Sequence, residues 1–205
     1  MCWLYITSLP SSNTYDTIFS INTNSTSANY DSLDIKGASP TRIVIATDSG
    51  GTRTETFGTT SLSANTWYHA AIVRSASNSR IAYLNGVVEA SHVSDISGRP
   101  DPSRNEIGGF TTSNVDVIVS RFSGIKMWGE ALTREEILAE MNWLYPVRWR
   151  GLYLCAPLLS GHNDVFDVSG NGRHLSVYGT LTTAAGPARV GRYPPSMAFR
   201  LDRGR

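Results

Sequence analysis

The chain has 205 residues, a formal net charge of +1 and 17% charged residues, below the roughly 25% usual for soluble domains. Near-zero net charge without a basic block excludes a charge-driven nucleic-acid binder, and a composition not dominated by Ala, Glu, Lys, Leu and Arg excludes a helical bundle. A hydrophobic content of 40% excludes a disordered chain, and the length suits one large domain or two small ones.

Ser, Thr and Asn number 25, 19 and 12, while Lys36 and Lys126 are the only lysines. The apolar runs are about five to eight residues long, against the roughly 20 a membrane span needs. Met1-Cys2-Trp3-Leu4-Tyr5 has neither a basic n-region nor an h-region, so no secretory signal is expected. Cys2 and Cys155 lie in apolar, strand-like runs and read as buried free thiols rather than a disulfide framework.

In chain order, the first 125 residues read as short strands between polar turns. Met1–Ile6 opens, followed by Thr17–Asn22, Ser32–Lys36, Thr41–Thr47 and Thr52–Phe57. Asp48-Ser49-Gly50-Gly51 supplies strong turn chemistry. Thr52–Phe57 alternates threonine with charge, as an exposed-face strand does. Thr66–Ser75, Arg80–Leu84 and Val87–Ala90 form two consecutive hairpins. Asn85-Gly86 joins the second pair, because both central residues of a type I′ turn need φ > 0. Residues 91–105 read as loop. Strands resume at Glu106–Phe110, Asp116–Phe122 and Gly124–Trp128.

Thr133 with Glu136 forms a capping box, and Ile137, Leu138, Met141 and Leu144 recur at helical spacing until Pro146. The spacing predicts one helix of about three turns near 133–145. Beyond it, Leu152–Leu159 and His174–Tyr178 read as strands, residues 180–195 as irregular, and Ser196–Leu201 as a last weak strand. The fold expected is all-β, a two-sheet antiparallel sandwich with one short helix.

Asn65-Thr66-Trp67-Tyr68-His69-Ala70-Ala71-Ile72-Val73, with Ile81-Ala82-Tyr83-Leu84-Asn85-Gly86, resembles the central signature of laminin-G-like, concanavalin A-like jelly rolls. Phe122–Trp128 and Ala131–Ile137 are similar to that family's closing strand and short helix. The resemblance covers roughly residues 1–145. The opening segment usual in the family is absent before Met1. Something like it follows the helix, in Leu154, Pro157-Leu158, Asp167–Gly172 and Met197–Asp202. The expected organisation is therefore a jelly roll over 1–147. The segment 148–205 would complete the same sandwich as a permuted piece or form a partial second module.

Candidate chemistry is sparse. His69, inside an apolar strand beside Trp67 and Tyr68, reads as a packed, hydrogen-bonded strand histidine. Glycoside hydrolases of related jelly rolls need two carboxyls on one face, and no strand carries carboxylates two or four residues apart. Asp31 and Asp34 differ by three and fall on opposite faces. No catalytic residue is assigned. The family resemblance implies calcium as the one cofactor to weigh, with Asn163, Asp164, Asp167 and Asn171 as weak ligand candidates. Tyr15, Tyr30, Tyr178 and Tyr193, near polar turns, are weak candidates for stacking on sugar rings.

The function expected is non-catalytic binding or assembly. An atypical jelly roll with Ser/Thr/Asn-rich strands also resembles virion structural proteins of tailed bacteriophages. That resemblance implies a head decoration or fibre/tail component, located in the virion after assembly in the host cytoplasm. The expected partners are other virion subunits such as a major capsid protein, or surface glycans. A homo-oligomer, trimeric by natural symmetry, is expected, with no nucleic acid. A free carbohydrate-binding lectin is the alternative, and a glycoside hydrolase the more distant one.

Overall fold

In the computed structural model the chain is described over residues 1–22, 30–93, 104–109, 117–159, 166–177, 182–188 and 190–191. The strands are β1 (Cys2–Ile6), β2 (Tyr15–Asn22), β3 (Tyr30–Lys36), β4 (Arg42–Ser49), β5 (Thr52–Phe57), β6 (Thr66–Ala76), β7 (Ser79–Leu84), β8 (Val87–His92), β9 (Arg104–Ile107), β10 (Ser120–Ser123), β11 (Ile125–Trp128) and β12 (Leu152–Ala156). One helix, α1 (Arg134–Glu140), lies between β11 and β12. Two five-stranded antiparallel sheets, ordered β10-β1-β6-β7-β8 and β5-β4-β3-β2-β9, stack face to face, and β11-β12 form a separate ribbon. The architecture is the expected jelly-roll sandwich.

The period-two alternation of each strand sends one side-chain set inward. Leu4, Ile6, Ile18, Leu33, Ile35, Ile43, Ile45, Ala70, Ala82 and Leu84 meet between the sheets. Leu154 and Ala156 of β12 join that same core.

The other face of the β6-containing sheet is covered. Ala71, Tyr83 and Met1 pack there with Leu132 and Ile137 of the helical segment. The Asn85-Gly86 turn is the hinge of this docking. Both residues have positive φ, 51° and 76°, as a type I′ turn requires. A Cβ on Gly86 would lie 2.3 Å from Leu138 Cδ2, and Arg134 Nε donates to the Gly86 carbonyl at 3.0 Å.

The capping box of α1 is present, with Glu136 N–H donating to Thr133 Oγ1 at 3.2 Å and Thr133 N–H to Glu136 Oε2 at 2.9 Å. The helix has seven residues, two turns rather than three. Lys126 Nζ, from β11, donates to the carbonyls of Glu140 and Trp143 and to Glu140 Oε2, at 2.7, 2.8 and 2.7 Å. Glu140 Oε1 accepts the backbone N–H groups of Val147 and Arg148. A buried ion pair thus satisfies the carbonyls at the helix end and turns the chain away before a third turn forms.

Other expectations shift by residues. β9 stops at Ile107 because Gly108 and Gly109 take φ of 83° and 159°. β10 begins at Ser120, and Asp116 lies outside the described residues. His174–Tyr178 is not a strand over its described part. No described strand pairs it, and the His174 ring instead accepts the Asp167 N–H through Nδ1 at 3.1 Å. Ser196–Leu201 lies outside the described residues. Cys2 and Cys155 are free, buried thiols, and burial pushes each pKa up to about 12.

Candidate functional site

With one sheet face covered by α1, the outer face of the β5-β4-β3-β2-β9 sheet is the other candidate surface, where Tyr15, Lys36, Arg53, Glu55 and Phe57 reach solvent while Thr17, Tyr30, Ser32, Asp34 and Asp48 are buried. Register decides which residues share it. Tyr15 of β2 opposes Lys36 of β3, and Thr17 opposes Asp34. Asp34 opposes Val44 of β4, and Tyr30 opposes Asp48. Ala46 opposes Glu55 of β5, and Asp48 opposes Arg53. Period two therefore lines up Tyr30, Ser32, Asp34 and Lys36 beside Arg53, Glu55 and Phe57, over a floor of buried Val44 and Ala46.

Arg53 organises this face. Its guanidinium carbon lies 4.0 Å from the Tyr15 ring centroid and 5.7 Å from that of Tyr30. Its Nε donates to Glu55 Oε1 at 2.7 Å, Nη1 to the Tyr30 hydroxyl at 2.7 Å, and Nη2 to Asp34 Oδ2 at 3.4 Å. Glu55 also accepts the Tyr15 hydroxyl at 2.7 Å and Lys36 Nζ at 2.9 Å. Lys36 Nζ stands 4.8 Å from the Tyr15 ring and 5.2 Å from the half-exposed Phe57 ring. Asp34 accepts hydroxyls from Thr17 and Ser32 at 2.9 and 2.7 Å.

Protonation follows from these contacts. Burial alone would raise the Glu55 pKa, but hydrogen bonds from Tyr15, Lys36 and Arg53 outweigh it and hold the carboxyl below its usual range. Burial pushes Tyr30 up to about 12, against the pull of Arg53, so its phenol stays neutral. The result is a platform in which Lys36 and Arg53 bond Glu55 and Asp34 beside the rings of Tyr15 and Tyr30. Planar polar groups beside ring faces can bond sugar hydroxyls and stack on the apolar face of a pyranose.

Two of the four tyrosines expected from the sequence thus come together, Tyr15 half-buried and Tyr30 buried, bridged by Arg53. Tyr178 and Tyr193 lie outside the described residues. Lys36, Arg53 and Glu55 were missed. The signal available was the period-two set Arg53, Glu55, Phe57, but strand spacing cannot say which neighbouring strand faces it.

Of the calcium candidates, Asn163 and Asp164 lie outside the described residues. Asp167 accepts four donors: the N–H groups of Cys155, Ser169 and Arg173, and the Ser169 hydroxyl. Asn171 donates through Nδ2 to the carbonyls of Leu152 and Tyr153. These bonds build the turn that follows β12. Among the described residues, no group of three or more His, Cys, Asp or Glu side chains is placed to hold a metal ion.

His69 is packed as expected, with its ring edge-on to Trp3 at 5.4 Å. Its hydrogen bonds are those of the backbone, to and from Asn85, while ring Nδ1 has no bond among the described residues. Packing in the aromatic layer, not a ring hydrogen bond, holds the imidazole.

The laminin-G profile of the concanavalin A-like lectin/glucanases superfamily matches residues 1–138. The chain belongs to that superfamily. The β6–β7 hairpin, the Asn-Gly turn that leads on to β8 and the capped start of α1, the segments that carried the resemblance, fall inside the match. No curated protein matches the chain. Among solved structures, it is similar to a native heptameric SAP-like pentraxin from Limulus polyphemus, at 18% identity and a TM-score of 0.49, covering 67% of this chain and 66% of that one. It is also similar to an S-layer domain-containing protein from Clostridium thermocellum, at 14% identity and a TM-score of 0.27, covering 64% of this chain and 65% of that one. The chain thus spans just under two-thirds of the length of each. No helix among the described residues is long and apolar enough to cross a membrane.

Proposed function

We propose that this superfamily member is a non-catalytic, lectin-like binding module whose outer sheet face takes a surface glycan. The observation that carries this reading is Arg53 stacked on Tyr15 while bonded to Glu55 and the Tyr30 hydroxyl. A retaining or inverting glycosidase needs one carboxyl kept protonated as the acid. Glu55 is held in its charged form, and Asp34 bonds two hydroxyls and lies near Arg53, which supports binding over turnover.

The setting we propose is the surface of a tailed-phage virion, as a homo-oligomer in contact with other virion subunits. The low lysine count supports packing against neighbours, since long flexible side chains are costly to order. We further infer that residues 148–205 complete the jelly roll rather than start a second module, supported by Leu154 and Ala156 in the main core.

The test is a glycan array with the wild-type chain and Arg53→Ala. Binding of a neutral glycan, weakened at least about ten-fold by the variant, is expected, because stacking and charge-assisted bonds are lost together. Release of reducing sugar that disappears in Glu55→Gln would instead make the protein a hydrolase. Absence of the chain from purified particles, by mass spectrometry, would remove the virion setting.

A further inference from the structure

A cavity of about 190 Å³ lies between the two sheets, where β1 pairs with β6 only as far as Cys2 opposite Ala70. Charges on its wall are taken up inside the protein: Lys126 by Glu140 and the Trp143 carbonyl, Arg80 by Asp31, and Glu106 by Asn22. The turn that follows β12 differs, because it carries a cation with donors to spare. Asp167, buried at its base, accepts the N–H groups of Cys155, Ser169 and Arg173 and the Ser169 hydroxyl. Asn171 Nδ2 ties the turn back to the carbonyls of Leu152 and Tyr153 at 2.9 and 3.1 Å. The turn is thus fixed before any ligand arrives, and a fixed site loses little entropy on binding.

Arg173 lies over the Tyr153 ring, with its guanidinium carbon 4.0 Å from the ring centroid. Among the described residues its side chain makes a single hydrogen bond, from Nη1 to the Tyr153 carbonyl at 3.4 Å, and no ion pair. A guanidinium seated on a ring keeps its in-plane donors, in the fork that bonds a carboxylate bidentately. Nearby, Phe166 is 54% exposed, and its ring stands 5.1 Å from the exposed His174 ring, edge-on at 83°. His174 Nδ1 accepts the Asp167 N–H at 3.1 Å, so in the neutral ring Nε2 carries the proton and is a donor. Phe166 and Arg173 flank one carboxylate, Phe166 as the residue before Asp167 and Arg173 through its N–H to Asp167 Oδ2 at 2.9 Å. An unpaired cation, a donor and an apolar ring face therefore share one turn.

We propose that this turn is a second saccharide site, one that takes a carboxylated sugar. The uronate carboxylate bonds the Arg173 fork, the pyranose lies against the Phe166 ring, and His174 Nε2 donates to a hydroxyl. Apolar ring faces with a few placed polar groups suit the two sides of a sugar, and the unpaired cation selects the acidic ones. None of these residues belongs to the β5-β4-β3-β2-β9 sheet, so the site stands apart from the neutral-glycan face.

The experiment is calorimetric titration of the full chain with trigalacturonate and with its methyl ester, which keeps the rings and loses the charge. The expected result is saturable binding of trigalacturonate, at least about ten-fold tighter than the ester, because the ester forfeits the charge-assisted pair. Arg173→Gln should bring the acid down to the level of the ester, and Phe166→Ala should weaken both. Both side chains are exposed, so neither change touches the core. On a glycan array Arg173→Gln should keep the neutral-glycan binding of the wild-type chain, and loss of both together would overturn the two-site reading. Absence of trigalacturonate binding, or binding that Arg173→Gln leaves intact, overturns the site. Equal affinity for the ester overturns the selection by charge. Equal affinity for triglutamate makes the partner an acidic peptide and overturns the sugar.

Discussion

His69 sits in β6 with 1% of its surface exposed, and burial, aided by nearby positive charge including Lys126, lowers its pKa from 6.5 to about 3. A histidine depressed in the folded state binds its proton more readily when unfolded. The stability from its neutral burial is therefore complete above pH 6.5 and is lost as pH falls toward 3. The slope approaches about 1.4 kcal/mol per pH unit for one such group. His92, lowered first by burial and then by Arg80, adds the same sign. Between pH 6.5 and about 5.5 most carboxylates stay charged in both states, so the slope there belongs to histidine and to the buried N-terminal amine of Met1, whose pKa burial lowers to about 6. Urea unfolding across that window should show stability dropping with acidification, with His69→Phe removing a large part of the slope. Parallel slopes for the two proteins would refute this. That His69 is packed was readable from its apolar strand. That its ring Nδ1 has no bond among the described residues was not, because the aromatic layer above it comes from residues far away in the chain.

The hairpins and the helix cap rest on neighbours in sequence. Asn85-Gly86 specifies its turn because two adjacent residues must take positive φ, and Thr133 with Glu136 caps α1 through groups three residues apart. The same Gly86 also makes room for Leu138 of α1, which turn chemistry alone does not reveal. Gly86→Ala combines backbone strain with a clash at the helix, and a loss of about 2 kcal/mol or more is expected. Denaturant titration checks this, and a change within about 0.5 kcal/mol, the usual range for surface substitutions, would show that α1 does not need that contact. The helix is shorter than its apolar spacing suggests because Lys126 and Glu140, fourteen residues apart, end it together. Periodicity carries no information about such a pairing.

At the scale of the molecule, the C-terminal segment and the first 147 residues meet at β11-β12. Leu154 is 3% exposed and lies in the main core. Leu154→Ala should lower the stability of the whole sandwich by about 2–5 kcal/mol, the range for a buried leucine. It should do so in a single transition followed by the tryptophans of the first sheet. A separate, lower transition that leaves those tryptophans undisturbed would instead make the segment a module of its own.

The all-β class, the hairpins, the capped helix and the superfamily were determined by the sequence alone, because each rests on alternation, turn residues or motifs within a few positions. The proposed binding face and the inter-sheet cavity were decided only by tertiary structure. Tyr15, Tyr30, Lys36, Arg53 and Glu55 become one platform through the register of neighbouring strands, in which a slip of one residue sends every side chain to the opposite face. The cavity exists because β1 is shorter than β6, a mismatch that neither strand's own residues record.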